Sequence, residues 1–463
     1  MDWLRVAGRH VVNEAGERVV LRGFGLGGWL NMENFITGYG SSEVLHRQAM
    51  REVLGDDLYD DFFSGFLSAF FGDADAAFLA SVGVNSLRIP LNYRHLEDDL
   101  RPGVIREDGF AQLDRAIDAC AAHGVYTIID LHAAPGGQSG HWHCDTLFHR
   151  PQLWEHAHFQ QRTIGIWQAI ADHYRDQPWV AGYNFLNEPA AEDPRDLVDL
   201  YRRLEAAVRE IDPRHMLFLD GNRFAKEFTG FPEPLPNTVY ALHQYPPPCV
   251  FDAGPYPGES FGELYDRDRV KREFEAMAGY MLEHDVPIWV GEFGPVYTGE
   301  PDADRMKRQL LVDELEIYDE HDAGWSLWTY KDMGMMGLVY ARPDSPWLTR
   351  TIDVRAKKAR LGVDVGGSTD AEIAEVIDPI MARFAREFPW FEPYPFGIES
   401  HVGRLVRAIL FAEPLAYEFA RCFAGITSED AAAIVSSFRF DQCDTNDDVC
   451  AIVAKACHAP ARV

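Results

Sequence analysis

VAGYNFLNEP, residues 180–189, decides the fold: an apolar run passes into Asn187 and Glu188, and Pro189, which cannot donate a ladder hydrogen bond, ends it. Working outward, short β-branched runs of similar length recur at 19–26, 84–91, 125–132, 215–222, 238–245, 287–293 and 324–330. Between them lie longer segments, 110–123, 158–174, 194–211, 268–284 and 302–321, with apolar residues at three- and four-residue intervals. This alternation argues for βα units around a parallel sheet. Eight strand runs match the count of a (β/α)8 TIM barrel, the fold expected here. An open doubly wound sheet would need a phosphate-binding glycine loop after its first strand. Gly23, Gly25, Gly27 and Gly28 lack that spacing.

Residues 4–20 alternate apolar and polar positions around the turn Asn13, Glu14, Ala15, Gly16, which predicts a hairpin closing the bottom of the barrel. WFEPYPFG, residues 390–397, reads as a turn-rich connector. Beyond it Leu405, Val406, Ile409, Leu410, Leu415 and Phe419 recur at helical spacing without strand runs. The expected organisation is a catalytic barrel domain over 1–390 and a helical C-terminal appendage over 391–463. The appendage is too small for a core of its own and is expected to pack on the barrel.

The 463 residues are 47% apolar and 13% aromatic, enough for a large core. Lys and Arg number 43 against 73 Asp and Glu, a net charge of −30 that repels phosphate backbones and anionic membranes. Nucleic-acid binding and stable membrane association are therefore not expected. The start, MDWLRV, lacks the basic and apolar regions of a secretory signal, and no uncharged apolar run nears the ~20 residues of a membrane helix. A cytoplasmic protein is the expectation. Seven cysteines, with Cys422, Cys443, Cys450 and Cys457 in the last 42 residues, read as reduced thiols rather than a disulfide framework. Cys450 and Cys457 could share a helix face, which leaves a local disulfide with Cys422 or Cys443 open. No close C-x2-C pair marks a zinc site.

In such a barrel, polar residues at the C-terminal strand ends carry the chemistry. Here those ends bear Arg88, His132, Asn187 with Glu188, His243 with Tyr245, Glu292 and Trp328. His243 and Tyr245, two apart, project from one face. Two strands finish in Glu, and two carboxylates converging on one cleft can break a glycosidic bond. Trp328 offers an aromatic face to a sugar.

LRGFGLGGW, NSLRIP, IIDLHAAPGGQ, YNFLNEP, ALHQY, WVGEFG and WSLWTYKD, in this order over residues 19–332, resemble the motifs of glycoside hydrolase family 5, the clan A retaining β-glycosidases. The resemblance implies Glu188 as acid/base and Glu292 as nucleophile through a covalent glycosyl-enzyme. It also implies Arg88 and Tyr245 around Glu292, Asn187 on the sugar 2-OH, His132 and His243 along the −1 subsite, and Trp328 as its floor. The cation Arg88 is expected to lower the pKa of Glu292 and leave Glu188 raised.

GLGGWLNMENFITG, with Glu33 four residues after Trp29, and the PGGQSG loop are similar to exo-β-1,3-glucanase and β-glucosidase-like members. There a Glu at the place of Glu33 holds the terminal sugar. HWHCD, with His141, Trp142, His143 and Asp145, departs from that pattern and reads as polar walls of a sugar pocket. The His141/His143 pair also admits a metal-dependent barrel hydrolase. An inert sugar-binding barrel is a third class, opposed by the presence of both Glu188 and Glu292. Residues 246–262 read as a stiff rim, and KDMGMMGLVYARPDSPW, 331–347, as an apolar cluster beside the pocket.

The sequence therefore predicts an exo-acting retaining β-glycoside hydrolase that releases a terminal β-linked glucose from a small glycoside or oligosaccharide. Alternatives of the same mechanism are a β-mannosidase or a glycolipid β-glucosidase. No cofactor is expected, the partner is the small-molecule substrate, and homo-oligomer formation is left open.

Overall fold

The structure, a computed structural model, describes residues 2–250, 254–363 and 371–458. Eight strands close a barrel: β1 Arg22–Gly25, β2 Ser86–Asn92, β3 Tyr126–Ala133, β4 Val180–Asn184, β5 Met216–Asp220, β6 Thr238–Gln244, β7 Ile288–Phe293 and β8 Gly324–Leu327. Each pairs in parallel with its successor, and β8 pairs back onto β1. This is the expected (β/α)8 barrel. The fourth strand ends at Asn184, four residues short of Glu188.

Side chains two apart share a strand face, so β3, β5 and β6 each carry an apolar storey and a polar one inside the barrel. Ile128, Met216, Phe218, Val239, Ala241 and Trp289 fill the floor together with Leu4, Val11 and Leu21. Further up the same faces stand Asp130 and His132, Asp220, and His243. Strict alternation from Trp289 would turn Glu292 outward. A register shift between Val290 and Glu292 restores it to the interior. The residue in that bulge is Gly291, where an added Cβ would lie 2.8 Å from His243 Nε2.

The N-terminal hairpin forms, with Arg5–Ala7 antiparallel to His10–Val12, but it reverses at Gly8 (φ 58°) rather than at Asn13–Gly16. A glycine adopts that left-handed backbone without steric cost. The Asn13 turn folds the chain back a second time, so that Val19 N–H bonds Val11 O at 2.9 Å.

Barrel helices Ala111–Ala122, Ala157–Tyr174, Pro194–Arg209 and Pro301–Glu320 lie where expected. The segment 268–284 is split into Arg267–Met277 and Gly279–His284. A glycine at the break is a poor helix former.

Two helices not anticipated from the sequence, α1 Glu43–Leu54 and α2 Asp56–Phe70, follow β1. Phe62, Phe63, Phe66 and Phe70 form the buried stripe of α2. Further along the chain come α3 Gly397–Arg404, a π-helical stretch Leu405–Phe411, α4 Ala412–Arg421 and α5 Ser428–Val435. Trp347, Phe423 and Phe438 pack their rings on Phe62 and Phe66, Phe419 packs on Trp347, and all belong to the same core as the outer barrel residues. Lys331 pins the junction: its buried ammonium meets Asp75 Oδ1 at 2.6 Å, Phe70 O at 2.7 Å and Phe438 O at 2.8 Å.

The expectation of no strand after residue 401 is corrected by Cys443–Thr445, antiparallel to Val339–Ala341. Three residues are too few to show a period of two. All seven cysteines are free.

Candidate active site

A cavity of about 650 Å³ opens at the C-terminal end of the barrel. Its walls include Glu33, His132, His141, Glu188, Tyr245, Glu292 and Trp328. Arg88, Asn187 and His243 do not line it; they are buried behind the wall and hold the lining groups.

Arg88, on the inward face of β2, is the hub. Its Nη1 donates to Glu292 Oε1 at 2.6 Å and its Nη2 to Asn187 Oδ1 at 2.6 Å, while Asp130 Oδ2 lies 3.0 Å from Nη2. Tyr245 donates its hydroxyl to the other Glu292 oxygen, Oε2, at 3.2 Å. Both oxygens of Glu292 thus accept from fixed donors, one of them cationic.

Glu188 is held differently. It stands at φ 47°, a left-handed backbone costly for any residue with a Cβ, and its N–H donates to Asp220 Oδ2 at 3.0 Å. Its Oε1 lies 2.9 Å from His243 Nδ1 and its Oε2 3.6 Å from His143 Nε2. Burial lowers both imidazoles, His143 to about 4.

Burial raises both catalytic candidates among the carboxyls, and Glu292 is pushed up to about 7. The expected net lowering of Glu292 by Arg88 is corrected: desolvation and the neighbouring Glu188 charge outweigh the attraction of Arg88 and His243. Two carboxyls this close titrate as a pair that retains one proton into the neutral range. Arg88 touches Glu292 and not Glu188, so its direct hydrogen bond favours the anion of Glu292.

At the other wall His132 links two acids. Its Nδ1 meets Asp130 at 2.7 Å, its Nε2 meets Glu33 at 3.2 Å, and its ring stacks on Trp328 at 5.4 Å and 9°. Burial raises Glu33 and takes His132 down to about 4. The glycines of RGFGLGGW are explained here, because a Cβ at Gly25 or Gly27 would strike the Trp328 indole at 2.6 or 2.5 Å. The indole lies directly on that backbone.

In the HWHCD loop His141, Trp142 and His143 line the cavity. Asp145 faces elsewhere, accepting from Asn92 Nδ2 and Arg94 Nε at 2.8 Å each. His141 and His143 do not join a metal-ligating group. Among the described residues the set with suitable spacing is Glu188, His243 and Glu292, whose ligand atoms lie within 4.8 Å of one another. The guanidinium of Arg88 already supplies a cation at 2.6 Å from Glu292, and a divalent ion there would face its repulsion.

The 246–262 loop falls partly outside the described residues, at 251–253, and none of its described residues lines the cavity. Tyr256 instead donates to Asp313 on the helix Pro301–Glu320. Of the 331–347 cluster only Met336 reaches the wall, while Trp347 is fully buried among Phe62, Phe419 and Phe438.

Several lining residues were missed. Phe224 and Lys226 follow β5, the one strand end given no role from the sequence besides that of β1. Phe396, Ser400, Arg404 and Arg407 come from the C-terminal segment. A strand-end rule marks β5 as a place to look, but nothing in the sequence brings residues 396–408 to the cavity.

Residues 68–334 match the family model Cellulase (glycosyl hydrolase family 5). The chain is 43% identical over 458 residues to a protein named Beta-xylosidase from Phanerodontia chrysosporium, covering 96% of each. It is 26% identical to Probable glucan 1,3-beta-glucosidase A of Aspergillus niger, over 69% of this chain and 84% of that one. Among solved structures, that of an endogalactoceramidase superposes with a TM-score of 0.53 at 17% identity, covering 76% of this chain and 77% of that one, a likeness of fold.

Proposed function

The chain belongs to glycoside hydrolase family 5, a family of retaining β-glycosidases, and from that premise we propose that it removes a terminal β-linked sugar, with Glu292 as nucleophile and Glu188 as acid/base. The observation that carries the roles is the unequal holding of the two carboxyls. Glu292 has Arg88 and Tyr245 donating to its two oxygens, which favours its anion; Glu188 meets the imidazoles of His243 and His143 instead.

The spacing supports retention. An oxygen of each carboxyl lies within 4.8 Å of the other. Inverting enzymes hold theirs ~6.5–9.5 Å apart to admit a water, retaining ones ~5–5.5 Å. In the first step a Glu292 oxygen bonds the anomeric carbon, the bond to the leaving oxygen breaks, and that oxygen takes the Glu188 proton. In the second, Glu188 deprotonates a water that attacks the anomeric carbon and frees Glu292. Arg88, which also holds Asn187, fixes the nucleophile and the Asn187 amide in one rigid unit.

Exo action is supported by Glu33, a buried carboxyl paired with His132 in the cavity wall. It can bind hydroxyls of a terminal sugar where an extending chain would otherwise run. Glucose is the first reading of that sugar. Xylose is the second, favoured by the 43% identical relative named Beta-xylosidase. A panel of aryl glycosides differing in sugar and anomer tests this. Turnover of β-glucoside or β-xyloside alone is expected, with the β-anomer of the sugar as first product by NMR; an α-anomeric product or turnover of α-glycosides contradicts it.

A further inference from the structure

The geometry points to an anion-binding subsite on the leaving-group side of the cavity, formed by Arg404 and Arg407 with Lys226 nearby, that takes the carboxylate of a uronic acid in the second sugar. This rests on the reading of Glu188 as proton donor, since the donor marks the side on which the leaving group lies.

From Glu188 outward the wall becomes aromatic. His143 lies 3.6 Å from Glu188, His141 stands edge-on to Phe224 at 4.7 Å, and Phe224 meets Phe396 at 5.0 Å and 36°. Such faces suit the apolar side of a pyranose ring. Beyond them α3 and the π-helical stretch that continues it present Ser400, Arg404 and Arg407, with Glu399. Arg404 closes α3 and Arg407 follows it in the π-helical stretch, and both line the cavity.

What sets the two guanidinium groups apart is the lack of a counter-ion. Arg404 donates one Nη2 hydrogen to His149 O at 3.0 Å, and the Nε of both Arg404 and Arg407 is buried without an acceptor. Among the described residues no carboxylate stands within ion-pair reach of Arg404, Arg407 or Lys226, although all three line the cavity. Glu399 raises Arg407 only through space, and burial lowers both arginines. Two buried cations elsewhere do have carboxylate partners: Arg88 has Glu292 and Asp130, Lys331 has Asp75. In a chain with 43 basic residues against 73 acidic ones, two guanidinium groups with no carboxylate in ion-pair reach among the described residues leave a charge for the ligand to supply.

The position of the anion follows. At the barrel end Glu33, Glu188 and Glu292 repel it; at the outer end Arg404 and Arg407 attract it. A planar guanidinium fork fits a carboxylate or a phosphate. The aromatic faces call for a sugar ring beside the charge, which a uronic acid provides, and a cavity of about 650 Å³ has room for a disaccharide.

The test compares kcat/KM of the full chain on three disaccharides carrying the same β-linked sugar, chosen as the one turned over in the aryl panel. Their leaving groups are glucose, glucuronate and glucose 6-phosphate. The glucuronate compound is expected to exceed the glucose compound by about tenfold or more at low salt, a preference that rising NaCl narrows. In the R404Q/R407Q variant the ratio is expected to fall to about one. Calorimetric binding of free glucuronate against free glucose to the wild-type chain reads the same subsite without any cleavage and without a variant, and glucuronate is expected to bind more tightly.

A wild-type ratio near or below one, or a ratio unchanged in R404Q/R407Q while aryl glycosides are still cleaved, overturns the subsite and leaves the hydrolase reading standing. Preference for the phosphate compound overturns the uronate assignment. If no glycoside is cleaved, the hydrolase reading fails, and equal binding of glucuronate and glucose then overturns the subsite as well.

Discussion

At the barrel end of the cavity the charged groups are interlocked: Arg88 with Glu292, Asp130 and Asn187, His132 with Asp130 and Glu33, His243 with Glu188. At the outer end Arg404 and Arg407 stand without a carboxylate partner among the described residues. The supports differ too. The first set projects from the barrel strands and from the loops that leave them, and the second from α3 and its π-helical continuation, backed by the small cluster Ile373, Ile377, Val402 and Val406. Charge that develops during bond breaking must be met by donors already in place, and both oxygens of Glu292 are held before substrate arrives. Choice of leaving group needs only complementary charge and shape, and a separate segment can supply it.

The comparison breaks most visibly at the nucleophile. Glu292→Gln is expected to lower kcat/KM by ~10^4-fold or more on every glycoside, irrespective of the leaving group. A loss confined to one leaving group would move Glu292 out of the chemistry.

Arg88→Lys keeps a positive charge but removes the fork that reaches Glu292 and Asn187 together. A fall in kcat of ~10^2–10^3-fold is expected, comparable to loss of a transition-state donor. Stopped-flow or steady-state kcat on an activated aryl glycoside checks it, and near-normal kcat would contradict the hub.

Gly291→Ala places a methyl 2.8 Å from His243 Nε2. The imidazole must shift against Glu188, and an overpacking cost of ~1–3 kcal/mol is expected in thermal unfolding, with a reduced kcat. Unaltered stability and kcat would show that the bulge does not position His243.

The smallest effect probes the border between the two ends. The Lys226 cation favours the ionised form of Glu188 and so lowers its pKa. In Lys226→Met that pKa rises, and the basic limb of the kcat/KM profile, which reports loss of the Glu188 proton, moves to higher pH. A limb that stays or moves down contradicts the assignment of that limb to Glu188.

The sequence made the barrel end legible for a physical reason. Strands repeat at regular intervals, each ends at the same face, and a Glu before Pro or after a β-branched run stands out at that place. What it concealed depends on three dimensions. The bulge at Gly291 reverses the inside–outside alternation that Trp289 alone would dictate for Glu292. Burial, which no residue pattern reports, overrides Arg88 and raises Glu292. Phe396 and Arg404 reach the cavity only because α4 and α5 dock on α1 and α2. The Met-rich segment 331–347 misled because apolar composition does not tell which cavity a side chain faces, and Trp347 served the core instead.

The most direct test of the account is trapping of the intermediate. Incubation with a 2-deoxy-2-fluoro β-glycosyl fluoride, followed by proteolysis and mass spectrometry, should give one sugar adduct on the peptide containing Glu292, with activity lost in step with labelling. An adduct on Glu188, or inactivation without any adduct, would contradict it.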